Sequence, residues 1–210
     1  MKQLNTSLDA IRDAVRTFMN LVAKQINSLS GGKILPNHIT IFGLLMHLPI
    51  AYLIACGYFG YAAILLVIFG LFDALDGSLA RLQKKASNAG MLLDASTDRM
   101  KEIILYTGSA LALVNMTKPY WAVWAVAACG SSICVSYVKA KGETAVAGGK
   151  LTANEVNRLF QDGLGRFEIR MALLVIGLVL GRLGIILVII TILSTYTALE
   201  RLIKITKKLG

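Results

Sequence analysis

FDALDGSLAR, residues 72–81, closes one apolar run and GMLLDASTDR, residues 90–99, opens the next, which sets Asp73, Asp76, Asp94 and Asp98 inside membrane-like sequence. At the bilayer centre each charge costs roughly 2.5–3.5 kcal/mol on insertion scales, so four unpaired carboxylates would cost about 10 kcal/mol or more. Something must neutralise them, and a divalent cation is the natural candidate. On helices, spacings of three (Asp73, Asp76) and four (Asp94, Asp98) put each pair on one face. Two antiparallel helices joined by a turn of about eight residues then turn the pairs toward each other.

Around this stretch the chain has 210 residues, 56% of them apolar, too many for a soluble domain and too few residues for two membrane domains. Windows of about 20 apolar residues predict an all-α integral membrane protein with six transmembrane helices, near 38–57, 60–80, 89–114, 119–139, 168–181 and 183–203. The net charge is +10, and of the 22 Lys and Arg only Lys118 and Arg182 fall in the turns of the opposite side. Charge bias therefore puts both termini, the 81–88 turn and the 140–167 loop in the cytoplasm. The basic face suits anionic lipid headgroups or phosphorylated substrates. No nucleic-acid motif accompanies the charge, so nucleic acid is not an expected partner.

Ahead of the first span, Leu4, Leu8, Ile11, Val15, Phe18, Val22 and Ile26 recur every three or four residues. They predict an N-terminal amphipathic helix lying in the interface or packed on the domain. It has neither the continuous apolar core nor the cleavage site of a signal peptide. Ser30, Gly31, Gly32 and Pro36 end it, dividing the chain into an amphipathic juxtamembrane helix, 1–30, and a membrane domain, 31–210. Thr152 and Glu155 have capping-box spacing and predict a short surface helix through about Gln161. Cys56, Cys129 and Cys134 stand singly and read as core thiols, and His38 and His47 as packing or interfacial groups.

Hard oxygen donors without Cys or His suit Mg2+, with Mn2+ as the alternative, and such ions commonly hold substrate phosphates as well. Gly77 and Gly90 remove side-chain bulk where a ligand must approach backbone, and Arg81 stands where a guanidinium could hold a phosphate.

Asp73-x-x-Asp76-Gly77-x-x-Ala80-Arg81, eight residues, then Gly90-x-x-x-Asp94-x-x-x-Asp98 resembles at every specified position the signature of the CDP-alcohol phosphotransferases. The resemblance implies a membrane enzyme that transfers a substituted phosphate from a CDP-alcohol lipid to an acceptor hydroxyl and releases CMP. It implies that Asp73, Asp76 and Asp94 are metal ligands, and that Asp98 both touches the metal site and accepts the hydroxyl proton. Gly77, Arg81 and Ser87, together with Gly90, fall at the CDP-alcohol site, and PNHIT (36–40) resembles an element that places Asn37 and Thr40 near the nucleotide. A homodimer is also implied, and the compactness of the chain suggests a prokaryotic plasma membrane.

For the acceptor, Ser136, Lys139 and Lys141 end the fourth span, while Arg166 and Arg170 open the fifth. If these helix ends converge they make a basic pocket for a second phosphate, as in a phosphorylated polyol. SYVKAKGE (136–143) and LDASTDR (93–99) are similar to the branch of the family that uses inositol 1-phosphate, with a diacyl or archaeal ether-lipid donor. Glycerol 3-phosphate is the alternative acceptor. Other readings are an ion or proton transporter, since membrane acids often mark translocation paths, and acids that merely pair with Arg81, Arg99 or Lys101 to fix packing. For the basic residues the alternative is anchoring at helix ends.

Overall fold

Runs of apolar residues broken at Gly, Pro and short charged clusters resolve into helices joined by tight turns. The computed structural model describes the backbone of residues 2–146 and 165–209, and side chains of 14–145 and 165–208. Among these residues the protein is all helical: α1 (Lys2–Leu29), α2 (Pro36–Ala55), α3 (Phe59–Gly70), α4 (Phe72–Leu82), α5 (Asn88–Asn115), α6 (Pro119–Val146), α7 (Phe167–Val179) and α8 (Leu183–Leu209). The expected surface helix at Thr152 to Gln161 lies outside the described residues.

Helix ends close by a shared device, in which a left-handed residue returns two N–H groups to carbonyls of the last turn. After α2, Gly57 (φ 81°) does this, its N–H reaching Ile54 and that of Tyr58 reaching Leu53, both at 2.9 Å. Lys84 (φ 55°) and Thr117 (φ 58°) adopt the same geometry without glycine, before α5 and α6, a conformation that costs an L-residue roughly 1–2 kcal/mol.

Internal contacts divide the chain into two units. The first comprises residues 1–50 and 64–101. Its core is Met19 and Ala23 of α1, Ile39 of α2, and Leu75 and Leu79 of α4. Val15, Val22 and Ile26 of the expected amphipathic stripe pack against this cluster, whereas Phe18 is exposed. The expected span 60–80 falls within Phe59–Leu82, which a one-residue interruption at Leu71 divides into α3 and α4. Gly70 weakens the helix there, and Phe42, Phe69 and Phe72 cluster across the break with ring centroids 5.0–6.1 Å apart. The break starts a new helix at Phe72 and puts Asp73 in its first turn.

The second unit comprises 51–63 and 102–210. Here α8 packs along α6 and α7. Close approaches occur at glycine: a Cβ on Gly108 would stand 2.5 Å from the Ala51 carbonyl oxygen, and one on Gly177 2.8 Å from the Ile186 side chain. In lipid such packing, rather than water exclusion, holds helices together.

Among the described residues four stretches are long and apolar enough to cross a membrane: Pro36–Ala55, Phe59–Leu82, Pro119–Ala145 and Leu183–Lys208. The chain is thus a helical membrane protein. Of the other two expected spans, α5 carries the acids, and the 13 residues of α7 reach only about 20 Å. The cysteines are not core thiols, since Cys56 and Cys134 are exposed and Cys129 half-buried. An apolar run does not separate core from lipid-facing positions when the solvent is itself apolar. His47 packs as expected, buried with Nδ1 2.7 Å from the Gly43 carbonyl.

Candidate active site

Pro36 opens α2, where its missing N–H and fixed φ fit the first helical position. One turn on, the buried Thr40 hydroxyl donates to Asp76 Oδ2 at 2.5 Å. From α4 come Asp73 and Asp76, from α5 Asp94, and one carboxylate oxygen of each lies within 4.8 Å of the others. Among the described residues Asp94 Oδ1 is buried without a hydrogen-bond partner. Three convergent acids with an unsatisfied buried oxygen fit a hard divalent cation.

Asp98 is not a member of this group of three. A step of four residues along α5 carries it about 6 Å further down the helix, to where the Lys101 ammonium, 1% exposed, pairs with both Asp73 and Asp98. Asp98 Oδ1 is 3.3 Å from Lys101 and Oδ2 is 3.7 Å from Arg99. Pairing of the acids with cations, foreseen as a packing device, thus occurs at Asp73 and Asp98. Among the described residues Asp76 and Asp94 make no ion pair.

These acids border a cavity of about 350 Å³. All six residues expected at the CDP-alcohol site, Asn37, Thr40, Gly77, Arg81, Ser87 and Gly90, line it with Asp73, Asp76 and Asp94. Ser87 also caps α5, its Oγ accepting the Gly90 N–H at 3.1 Å, and the helix start facing the cavity favours an anion. A Cβ on Gly90 would meet only side-chain atoms, Ser87 Oγ at 3.4 Å and Asn37 Oδ1 at 3.9 Å. The space it would fill belongs to the cavity. Arg81 donates to Ser78 Oγ at 3.1 Å and among the described residues has no carboxylate partner, which leaves its charge for a ligand. Lys85, overlooked as one more cation of a basic turn, lines the same cavity.

The acceptor residues all belong to the second unit, with Ser136 half-buried. Lys139 is 3.8 Å from Glu143, Lys141 lies 6.0 Å from the Tyr137 ring centroid, and Arg166 precedes α7 in extended conformation. Arg170, expected at the acceptor phosphate, is enclosed by protein, with Nη2 buried and without a hydrogen-bond partner among the described residues. It is 1% exposed, its Nε donates to Glu102 at 2.7 Å, and Nη1 donates to the Gly165 carbonyl. A guanidinium buried in apolar surroundings needs such a counter-charge, and Glu102 supplies it. Arg201, unremarked among the basic residues of the C-terminal helix, is also buried, donates to the Val135 carbonyl at 3.2 Å and lies near the charges of Arg166 and Arg170.

A family model described as CDP-alcohol phosphatidyltransferase matches residues 33–199. An archaetidylinositol phosphate synthase of Pyrococcus horikoshii is 30% identical over 203 residues, covering 96% of this chain and 98% of that protein. A phosphatidylinositol phosphate synthase of Corynebacterium glutamicum is 33% identical over 135 residues, 63% of this chain and 60% of its own. The Mycobacterium tuberculosis phosphatidylinositol phosphate synthase solved with CDP-DAG bound has a TM-score of 0.76 at 21% identity, covering 89% of this chain and 92% of that one. Its complex with manganese and citrate gives 0.72 at 21% identity, covering 90% and 88%.

Proposed function

The chain belongs to the CDP-alcohol phosphatidyltransferase family, and from that premise we propose that it moves the lipid-bearing phosphate of a CDP-lipid onto a hydroxyl of inositol 1-phosphate. The acceptor oxygen bonds to the phosphorus that carries the lipid, the P–O bond to the cytidylyl phosphate breaks, CMP leaves, and the hydroxyl proton passes to Asp98. The observation that carries this reading is one cavity bordered by three mutually close carboxylates, an arginine with no ion pair among the described residues and a helix start.

Asp73, Asp76 and Asp94 would hold the divalent cation, with Asp98 at its edge; we take it to be Mg2+, with Mn2+ able to replace it. When bound, such an ion offsets the charge of the pyrophosphate and of the departing CMP. Thr40 fixes one carboxylate through the hydrogen bond to Asp76, Arg81 and Lys85 face the phosphates, and Asn37, Gly77, Ser87 and Gly90 shape the space around the nucleotide. Among the second unit's cations, Lys139, Lys141, Arg166 and Arg201, with Ser136, are assigned to the acceptor phosphate, and Arg170 to holding the backbone before α7. The names of the two relatives above support inositol phosphate as acceptor.

In the same reading α5 and α7 complete six spans, and α1, the 1–30 segment packed on α4 within its own unit, lies in the interface. Both termini and the site face the cytoplasm of a prokaryote, and the enzyme is a homodimer. The test is CMP release by detergent-purified protein with Mg2+ and CDP-diacylglycerol or its archaeol analogue, offering inositol 1-phosphate and glycerol 3-phosphate in parallel. Release with inositol 1-phosphate is expected. A response to glycerol 3-phosphate alone reassigns the acceptor, and cation flux into vesicles without CMP release would make the acids a transport path.

A further inference from the structure

The α5–α6 and α7–α8 turns of the second unit border one cavity of about 150 Å³, whose lining includes Phe59, Leu113, Lys118, Trp121, Arg182 and Gly184. Lys118 is the only charged residue in 103–138 and Arg182 the only one in 171–199. Two otherwise apolar stretches thus bring their single charges, both positive, to the same cavity. Among the described residues neither side chain has an ion pair or hydrogen bond, and neither stretch contains an acid that could supply one.

Bringing like charges together costs energy unless an anion sits between them. Ordinary anchoring of each cation at a helix end would let them diverge. The rest of the lining describes where that anion comes from. Trp121 lies against the start of α8, so close that a Cβ on Gly184 would come within 2.6 Å of its ring. Tyr58 and Tyr120, at the neighbouring turns, are exposed. Trp and Tyr collect at the headgroup level of a bilayer, where one end of the ring is dry and the other wet. The apolar side chains, Phe59 and Leu113 among them, offer a surface for the glycerol and upper acyl segments. The first N–H groups of α8, which precede the Ile186 to Arg182 bond of 3.1 Å, add donors but do not make the site by themselves.

We propose that this cavity holds the phosphate of an anionic membrane phospholipid, distinct from any substrate lipid at the aspartates. Lys118 and Arg182 clamp the phosphodiester and Trp121 flanks the glycerol.

The test is native mass spectrometry of the whole chain in detergent, with phosphatidylglycerol added. Excess cytidine diphosphate, which has the nucleotide and phosphates but no glycerol or acyl chains, is present throughout to fill the aspartate cavity. Wild type is expected to retain one phosphatidylglycerol. Lys118→Gln with Arg182→Gln is expected to lower that retention about tenfold, as for loss of charge-assisted contacts, and Lys118→Arg to preserve it. Both side chains are exposed, so the variant should fold, and equal lipid-free melting temperatures verify that. Lys118→Gln alone gives an intermediate loss. Equal retention by wild type and the double variant would overturn the proposal. So would displacement of the lipid by millimolar inorganic phosphate, which would make the cavity a site for free anions.

Discussion

The buried ammonium of Lys101 is paired with the carboxylate of Asp73, and its second partner is Asp98 at 3.3 Å. One cation thus links an acid of the α4 pair to the acid assigned as base. Removing one member of a buried pair leaves the other uncompensated, which costs about 3–5 kcal/mol when burial is complete. Asp73 and Asp98 are about one-fifth exposed, so on the order of 2 kcal/mol is the better expectation. Lys101→Met should therefore lower the melting temperature of metal-free protein. Mn2+ should restore more stability to the variant than it adds to wild type, because the ion then supplies the missing positive charge. Thermal unfolding in chelator and in Mn2+ checks both parts, and an unchanged metal increment would show that Lys101 and the ion do not share these carboxylates.

Thr40 acts on the site through Asp76. A hydrogen bond to a carboxylate contributes about 1.5–3 kcal/mol, and groups that orient metal ligands typically change affinity by roughly 10–100-fold. Thr40→Val should weaken Mn2+ binding by about that factor, measured by calorimetry or by the electron paramagnetic resonance signal of free Mn2+. Thr40→Ser should bind nearly as wild type, since it keeps the hydroxyl.

The spacing of Asp73, Asp76 and Asp94 was legible in the sequence because helix geometry is local: three and four residues return to the same face, and a short turn must bring α5 back along α4. The glycines and Arg81 follow from the same local rule. What sequence does not encode locally is which distant group answers a buried charge. Arg170 and Glu102 are 68 residues apart, and either could be read as a helix-end anchor or a ligand. Lys101 was seen as a counter-ion only in a reading that set the chemistry aside, yet it stands between two of the acids that carry that chemistry. Glycine shows the same limit. Gly60 and Gly70 have open space around them, while a Cβ on Gly108 or Gly165 would stand 2.5 Å or 2.9 Å from a carbonyl oxygen of another segment. Composition marks a residue as small without saying what will approach it.

Asp98 stands outside the group of three acids and is paired with Lys101, and we propose it as the proton acceptor rather than a principal ligand. Asp98→Asn keeps the side-chain shape and loses the basicity, and general-base catalysis is worth about 10²–10⁴-fold. Turnover should fall by that factor with Mn2+ affinity within a few-fold of wild type. Asp94→Asn should instead lose metal binding and activity together. If Asp98→Asn also abolished Mn2+ binding, its role would be that of a ligand.

Arg170 and Glu102, 1% and 0% exposed, form the most deeply buried ion pair among the described residues, and Arg170 also binds the Gly165 carbonyl just before α7. Arg170→Met leaves a carboxylate buried, and Glu102→Gln leaves a guanidinium buried, so each single change should cost about 3–5 kcal/mol. The double change removes both charges. It should be less destabilising than the sum of the two by on the order of 2 kcal/mol or more, a coupling of the size that contacting residues show and distant independent ones do not. Chemical unfolding of the four proteins in detergent gives that cycle. A structural role further requires that a fraction of Arg170→Met which remains folded keep a near-normal KM for the phosphorylated acceptor. A KM raised by about 100-fold with stability unchanged would return Arg170 to the acceptor site and leave Glu102 as the group that orients it.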